Sequence, residues 1–361
     1  MAAGPIAEAA RVAEPSVSVI IPSYNRAALL PRAIRSALDA IGPGDEVIVV
    51  DDGSIDRTAA TIQPFGDRIR YLRTAHRGAG CARNTGIAAA QGPLVAFLDS
   101  DDEWMPDKLR LQRELMRRRP DVLFSFSDFV GRSAGGVDQH HGLERWRDDA
   151  RGWEDILGPG RPYSNTAPLP PGRDDFTVHV GDIYPELLHH DLVPTFTLVV
   201  RRAAAGDALR FADDLPTYED LECHTRLARA GTAAYLDCET AWQWGHAGPR
   251  LSKVDACTWA TARLAVLDRV YRQDSDYMAH HADEVNEVCT NQHLQRARWF
   301  ISRGDTRQAR HELREVGGGP LTYQVLAHLP HWRPVWLRQV VRTTRGAVHA
   351  TRAWASPRRF G

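Results

Sequence analysis

The stretch Leu94-Val-Ala-Phe-Leu-Asp-Ser-Asp-Asp102 joins an apolar run to an acidic turn. A short apolar run bounded by a turn is typical of a buried strand, and similar runs occur at Val17–Ile21, Glu46–Val50 and Ile69–Leu72. The intervals between the first of these runs carry apolar residues at helical spacing. Strands that alternate with helices predict an α/β fold, with a mostly parallel sheet flanked by helices.

The composition agrees with a folded protein of this class. The 361 residues are 43% hydrophobic, and 46 acidic side chains balance 45 basic ones, so the chain carries no global charge to attract nucleic acid. Its five cysteines lack the CxxC spacing of zinc sites, and an odd number argues against a disulfide framework. Neither a signal peptide nor a membrane-spanning apolar run is evident. We therefore expect a cytoplasmic protein.

Three predicted strands end in polar turns. These turns are Pro22-Ser-Tyr-Asn25, Asp51-Asp-Gly-Ser54 and Asp99-Ser-Asp-Asp102. Open parallel sheets bind ligands outside the carboxyl ends of their strands, because the loops there face helix N-termini and free backbone donors. We expect the three turns to converge on one crevice.

The last of these turns has the spacing of a metal site. In extended backbone alternate side chains share a face, so Asp99 and Asp101 should project to one side and Asp102 to the other. Two carboxylates on one face suit Mg²⁺ or Mn²⁺, which would neutralise charge on a departing diphosphate. The alternative is a solvated turn or helix cap. The preceding strand and the matching acidic turn at Asp51 favour the metal.

The other turns suit a nucleotide. Asp51 and Asp52 are either turn formers or acceptors for a ribose hydroxyl or a base N–H, and Tyr24 could lie against the base ring. In the segment Arg77–Asn84 two glycines let the backbone approach a ligand, so that Arg83 can meet phosphate or base. No GxGxxG follows the first strand and no GxxxxGK[ST] occurs, which argues against a dinucleotide oxidoreductase and a P-loop enzyme.

Taken in order along the chain, five segments resemble the motifs of family 2 glycosyltransferases: Val17–Asn25, Val50–Ser54, Ala82–Asn84, Phe97–Asp102 and Tyr218–Asp220. The resemblance covers about Val17 to Ser252. It implies a GT-A fold and an inverting displacement at the anomeric carbon of a sugar. The donor would be a UDP-, GDP- or dTDP-sugar held with Mg²⁺ or Mn²⁺.

The resemblance also assigns residues to roles. Asp101 would be the main metal ligand, with Asp99 beside it and His246 as a third candidate. Asp220 would be the general base that takes the acceptor proton, with Glu219 next to it, although an acidic pair at a helix start is commonly a cap. The donor-binding set would be Pro22, Tyr24, Asn25, Asp51, Asp52, Arg83, Asn84, Asp99 and Ser100. The sequence Cys223-His-Thr-Arg226 stands where the family often has an aromatic residue before the next arginine, so the resemblance does not define the acceptor side.

The resemblance over 17–252, together with the helical pattern that follows it, suggests a division of the chain. We expect a flexible tail over residues 1–15, a nucleotide-sugar-binding half over 16–130, an acceptor-binding half with a long inserted loop over 131–252, and a helical C-terminal region over 253–361. The basic, tryptophan-containing segment 333–359 suits peripheral contact with the inner face of a membrane, and equally docking on its own domain or a partner.

Two other functions compete with a transferase. A sugar-nucleotide pyrophosphorylase would carry a glycine-rich loop after the first strand, and Pro22-Ser-Tyr-Asn25 stands there instead. A catalytically silent nucleotide-binding or scaffold protein of the same fold remains the alternative, against which the acidic residues weigh. No motif identifies the sugar or the acceptor.

Overall fold

The computed structural model describes residues 14–147, 151–246, 248 and 254–328. Within them, one sheet has eleven strands. The strands are β1 Val17–Ser23, β2 Glu46–Asp51, β3 Arg70–Arg73, β4 Leu94–Phe97, β5 Glu103–Trp104, β6 Val122–Arg132, β7 Asp138–Gln139, β8 Arg161–Pro162, β9 Thr177–Gly181, β10 Val199–Arg201 and β11 Thr232–Trp244.

Helices flank this sheet and continue beyond it. They are α1 Leu30–Ala40, α2 Thr58–Thr61, α3 Ala79–Ala89, α4 Lys108–Arg118, α5 Gly142–Trp146, α6 Trp153–Leu157, α7 Tyr184–Leu187, α8 Arg202–Ala205, α9 Glu219–Ala230, α10 Ala256–Val266, α11 Ser275–Arg303, α12 Thr306–Glu315 and α13 Leu321–His328. Across the described ranges, none of these helices has the length and apolar character needed to cross a membrane.

The sheet order is β3-β2-β1-β4-β10-β6-β11-β9-β8. β1 pairs in parallel with β2 and β4, β2 pairs in parallel with β3, and β6 pairs in parallel with β11. β10 lies antiparallel between β4 and β6. The predicted α/β sheet is therefore present, with one antiparallel strand joining its two parallel parts. The carboxyl ends of β1, β2 and β4 share one edge, as predicted.

The second half of the chain departs from its sequence pattern at three places. The apolar and β-branched residues at 195–200 predict a strand, but Thr195–Thr197 form a 3₁₀ turn and only β10 joins the sheet. The apolar runs at 233–236 and 241–244 predict two short strands, but they lie in one strand, β11, in which register shifts absorb the polar residues between the runs. The segment 131–182, rich in Gly, Pro, Asp and Arg, predicts a long loop over the site, but its β9 pairs with β11 and extends the sheet.

The predicted C-terminal helices are present and bury two separate apolar clusters. α10 and the start of α11 add Leu264, Val285 and Val288 to the main core. The end of α11 packs with α12 and α13 around a smaller cluster of Ala297, Ala309, Leu313, Tyr323 and Ala327. The expected tail at 333–359 and most of the N-terminal tail, residues 1–13, lie outside the described residues.

Candidate active site

Asn25 fastens the turn after β1 to the turn after β2. Its backbone adopts a left-handed conformation, with φ of 52°, which asparagine tolerates better than most residues. Its Oδ1 accepts hydrogen bonds from the backbone N–H groups of Ile55, at 2.9 Å, and Asp56, at 3.3 Å. Its own N–H donates to Ser54 Oγ at 2.9 Å. The two polar turns are thus held as one unit.

Asp51 and Asp52 are buried and hold neighbouring loops. Asp51 accepts hydrogen bonds from the Ser54 N–H at 2.8 Å and from the Tyr71 hydroxyl at 2.5 Å, and burial together with this bond raises the pKa of Tyr71 to about 12. Asp52 accepts from the N–H groups of Arg77, at 2.9 Å, and Gly78, at 2.8 Å. A direct bond from either carboxylate to a nucleotide stays a prediction.

Tyr24 offers an aromatic surface at this edge. Its ring stacks on His76 with centroids 3.8 Å apart and planes 11° apart, and Nδ1 of His76 lies 2.8 Å from Asp52. Tyr24 is 37% exposed, so part of the ring remains open to solvent. The histidine was not singled out in the sequence, because nothing in the spacing of His76 and Tyr24 marks them as neighbours.

The acidic turn differs from its predicted geometry. β4 ends at Phe97, and the N–H of Asp102 donates to the Asp99 carbonyl at 3.1 Å, so residues 99–102 form a turn and not extended backbone. The three carboxylates of this turn have different hydrogen-bond partners. Asp99 bonds to Arg83 at 2.8 Å, whereas Asp101 Oδ2 lies 2.7 Å from His246 Nε2, and Asp102 accepts from the Trp244 N–H at 3.1 Å.

Asp101 and His246 are the residues that fit a divalent cation. Adjacent ligands of an octahedral metal at about 2.1 Å are roughly 2.9 Å apart, close to the observed 2.7 Å between Asp101 Oδ2 and His246 Nε2. No three His, Cys, Asp or Glu side chains among the described residues are grouped to hold an ion by themselves. If a divalent cation binds here, this carboxylate and imidazole would supply two of its positions and leave others for phosphate oxygens.

Charge around the acidic turn is balanced by basic side chains. Burial alone would raise the pKa of Asp101, but the hydrogen bond from His246 and the charge of Arg26, 3.4 Å away, bring it below its usual range. Burial raises the pKa of Asp99, against the opposing charge of Arg83. Arg32 also donates to the Asp101 carbonyl at 2.7 Å. Arg26 and Arg32 were missed in the sequence, although Arg26 directly follows the first polar turn.

Arg83 connects the acidic turn to the acidic pair. The guanidinium is buried and donates to Asp99 at 2.8 Å and to Glu219 at 2.9 Å. Burial and the neighbouring Asp220 raise the pKa of Glu219 to about 7. Asp220 is half-buried, at the start of α9, and is the more accessible member of the pair. The geometry therefore favours Asp220 over Glu219 as the group that meets a substrate.

Other predicted residues have local roles in this structure. Asn84 donates to the Phe211 carbonyl at 2.8 Å and accepts from the Phe211 N–H at 2.9 Å, so its amide holds this segment against α3. Pro22 lies in β1, and Ser100 is buried within the acidic turn. The parts played by Asn84, Pro22 and Ser100 in donor binding stay predictions.

Comparison with known proteins supports the family resemblance. Residues 18–165 match the family model described as Glycosyl transferase family 2. TuaG of Bacillus subtilis, which is named as a teichuronic acid biosynthesis glycosyltransferase, is 44% identical over 121 residues, 32% of this chain and 47% of TuaG. The chain spans less than half the length of the curated relatives that it matches.

Solved structures share the fold over most of the chain. Staphylococcus aureus TarS 1–349 in complex with UDP-GlcNAc has a TM-score of 0.57 at 18% identity, covering 86% of this chain and 83% of that one. The mannosyltransferase PcManGT of Pyrobaculum calidifontis, in complex with GDP-Man and Mn²⁺, has a TM-score of 0.50 at 16% identity, covering 92% and 86%. These likenesses confirm the predicted GT-A type of fold.

Proposed function

We propose that this chain, whose residues 18–165 match the model of Glycosyl transferase family 2, transfers one sugar from a nucleotide-diphosphate sugar to an acceptor hydroxyl. The observation that carries the proposal is the bridge formed by Arg83. One buried guanidinium joins Asp99, at the donor edge of the sheet, to Glu219, beside the proposed base Asp220. This bridge supports a site in which the donor phosphates and an acceptor-activating carboxylate would lie close together.

The donor would bind at the edge formed by β1, β2 and β4. In this proposal Tyr24 lies against the base, and the turns held by Asn25, Asp51 and Asp52 shape the nucleotide site. UDP-GlcNAc in TarS and GDP-Man in PcManGT are nucleotide sugars bound by proteins of this fold, which supports the class of donor. Residues 16–130 would hold the donor and residues 131–252 the acceptor.

Asp101 and His246 would hold Mg²⁺ or Mn²⁺, with Asp99 beside them. When bound, the cation would neutralise charge that develops on the departing diphosphate. Arg26, 3.4 Å from Asp101, adds a positive charge on the same side of the crevice. The Mn²⁺ in the complex of PcManGT supports this choice of ion.

Asp220 would activate the acceptor. As the acceptor oxygen forms its bond to the anomeric carbon, the bond from that carbon to the diphosphate oxygen breaks on the opposite face, and the hydroxyl proton passes to Asp220. This single displacement inverts the configuration at the anomeric carbon. The acceptor would approach along the segment 131–252. Contact of the tail at 333–359 with an anionic membrane would bring a membrane-bound acceptor close.

The test is a thermal-shift screen of the purified chain with UDP, GDP, dTDP and CDP, each with Mn²⁺ and with chelator. A ligand at about 100 times its Kd stabilises the native state by about 2.7 kcal/mol, so one nucleotide should raise the Tm by several degrees, and only with metal. Adenosine, which lacks phosphate, is the matched control. The sugar derivatives of that nucleotide are then assayed for transfer.

A catalytically silent scaffold gives a different result. It would bind a nucleotide without any turnover of the matching sugar donors. The absence of a shift with all four nucleotides, together with no turnover of any donor, would overturn the proposed function.

A further inference from the structure

His246 reaches Asp101 without a hydrogen bond to hold the far side of its ring. The imidazole is 10% exposed, and its Nε2 lies 2.7 Å from Asp101 Oδ2. Nδ1, on the other side of the ring, is buried and has no hydrogen-bond partner within the described part of the chain. Histidines that bind metals usually have a partner at this second nitrogen, which fixes the orientation of the ring. The position of His246 therefore depends on the backbone that carries it.

Trp244, two residues before His246, fastens that backbone to the acidic turn. Its N–H donates to Asp102 at 3.1 Å, and its indole Nε1–H donates to Glu103 Oε2 at 3.1 Å. β5 also pairs with β11 over the residues just before Trp244. Trp244 is thus bonded, through both its backbone and its ring, to the two residues that directly follow Asp101.

Two guanidinium groups lie over the indole ring of Trp244. Arg32 Cζ is 4.0 Å and Arg132 Cζ is 4.9 Å from the centre of the ring. Arg32 also donates to the Asp101 carbonyl at 2.7 Å, and the Arg132 carbonyl accepts from the Gly245 N–H at 2.6 Å. Among aromatic side chains, tryptophan attracts a cation over its face most strongly. The indole therefore connects α1, the acidic turn and β6 to the end of β11.

We propose that Trp244 is a positioning residue for metal binding, and that its contacts hold His246 at the distance from Asp101 at which both can bind one divalent cation. The inference rests on the metal site of the proposed function. Since no described group holds the far nitrogen of His246, loss of the indole would free the end of β11 and let the imidazole move away from Asp101. The carboxylate alone would then remain in place, and the affinity for the cation would fall.

The first test titrates the chelator-treated chain with Mn²⁺ alone, up to millimolar concentrations, and follows the EPR signal of the free ion. Loss of a group that orients a ligand typically weakens metal binding 10- to 100-fold, so the Kd of Trp244→Leu should rise at least about tenfold. Trp244→Phe keeps an aromatic face and should stay within about threefold of the wild type. Trp299→Leu, which removes an indole 4.9 Å from Arg303 on α11, is the matched control and should not change the Kd. An unchanged Kd in Trp244→Leu would overturn the proposal.

A double-mutant cycle separates positioning from a general loss of structure. His246→Ala removes the ligand that Trp244 holds, so in that background Trp244→Leu should change the Kd for Mn²⁺ by less than about twofold. A second loss as large as the first would mean that the indole does not act through His246, and would contradict the proposal. Where Trp244→Leu does not fold, Glu103→Ala, at a side chain 27% exposed, takes its place. It should weaken Mn²⁺ binding about threefold or more in the wild type and leave it unchanged in His246→Ala.

The Mn²⁺ titration needs no sugar donor, so its result is independent of transfer. Mn²⁺ binding that follows the expected cycle, in a chain that transfers no sugar from any donor, would overturn the proposed function and support the positioning role of Trp244. Failure of the wild type to bind Mn²⁺ would overturn the positioning role. Transfer that continues in chelator would then leave the proposed transferase standing without its metal.

Discussion

Asp101 lies beside two basic side chains, Arg26 at 3.4 Å and His246 at 2.7 Å. It is 22% exposed and packs in no apolar core, so its replacement should leave the fold intact. We expect Asp101→Asn to lower transfer at least about 100-fold, because the leaving diphosphate loses its cation. The Mn²⁺ dependence of nucleotide stabilisation in the thermal-shift assay should disappear with it.

The matched control for this change is Asp121→Asn, which removes a carboxylate paired with Arg119 away from the crevice. It should keep both activity and Mn²⁺ dependence. Full activity of Asp101→Asn after purification with chelator would show that the metal is bound elsewhere or not used.

Replacement of Asp220 should lower turnover and leave donor binding unchanged. In Asp220→Asn the side chain can no longer take the acceptor proton, and general-base catalysis contributes typically 10²- to 10⁴-fold, so kcat should fall by about that amount. Donor affinity should stay within about twofold, because the contacts at the donor edge are unchanged. Glu222→Gln, in the same helix and paired with Arg226, is the control. A collapse of donor affinity in Asp220→Asn would contradict its role as base.

At the level of residues, the sequence predicted which residues belong to the site better than it predicted which side chains they contact. The proximity of Asp101 and His246 was expected, because both were placed at one metal site. The bridge from Arg83 to Glu219 spans 136 residues, and no local pattern specifies which acid a buried arginine will meet.

At the level of elements, β6 carries a buried acid that should make stability depend on pH. Burial raises the pKa of Asp128 to about 6, against hydrogen bonds from the backbone N–H groups of Leu143 and Phe129, from a value of 3.8 in unfolded chains. The folded state therefore binds more protons than the unfolded state between about pH 4 and pH 6. Stability contributed by protonated Asp128 is present below pH 4 and is lost as the pH rises towards 6.

Asp128→Asn keeps an oxygen for both backbone donors and removes the titration. We expect the variant to match the wild type at pH 4 and to be more stable at pH 8, by on the order of 1–3 kcal/mol, measured by thermal unfolding at each pH. Asp174→Asn, at an exposed carboxylate, should change the Tm at neither pH. An equal gain at both pH values would mean that asparagine packs better and that Asp128 does not titrate in this range.

β1 to β4 were predicted to within about two residues at each end, because each is an apolar run bounded by turn residues, whereas the short strand β5 was not predicted. β11 was predicted as two strands, since Asp237, Cys238 and Glu239 interrupt its apolar pattern. In the structure Glu239 accepts a hydrogen bond from the His141 N–H at 2.9 Å and lies opposite Asp128 in β6. The carboxylate of Glu239 thus finds a hydrogen-bond donor 98 residues away in the chain. Local β-propensity does not reveal such a contact.

At the level of the whole molecule, the antiparallel strand β10 ties the two parallel parts of the sheet together. It bonds to β4, which leads into the acidic turn, and to β6, which pairs with β11. Trp104, just after that turn, donates to the Phe196 carbonyl at 2.6 Å, next to Thr195. The residues proposed to bind donor and acceptor therefore sit on one continuous core. The arrangement explains how a rigid sheet can fix their spacing without a separate domain interface.

The small C-terminal cluster, defined above by Ala297, Leu313 and their neighbours, should behave differently from this core. Glu312 is 1% exposed on α12, where it lies 2.8 Å from His293 and 3.0 Å from Arg296, both on α11. Glu312→Gln removes the charge that joins the two helices, so local opening of α12 and α13 should become easier by about 1–3 kcal/mol. Hydrogen exchange should show faster exchange in α12 and α13.

Because the two apolar clusters are separate, the effect of Glu312→Gln should stay local. Amides of β1, β4 and α3 should exchange at wild-type rates, and stabilisation by nucleotide should be unchanged. Glu315→Gln, on the same helix with a half-exposed side chain, should alter none of these rates. Faster exchange throughout the sheet, or a loss of nucleotide stabilisation in Glu312→Gln, would mean that the C-terminal helices are energetically coupled to the donor site, so that a partner bound to them could control transfer.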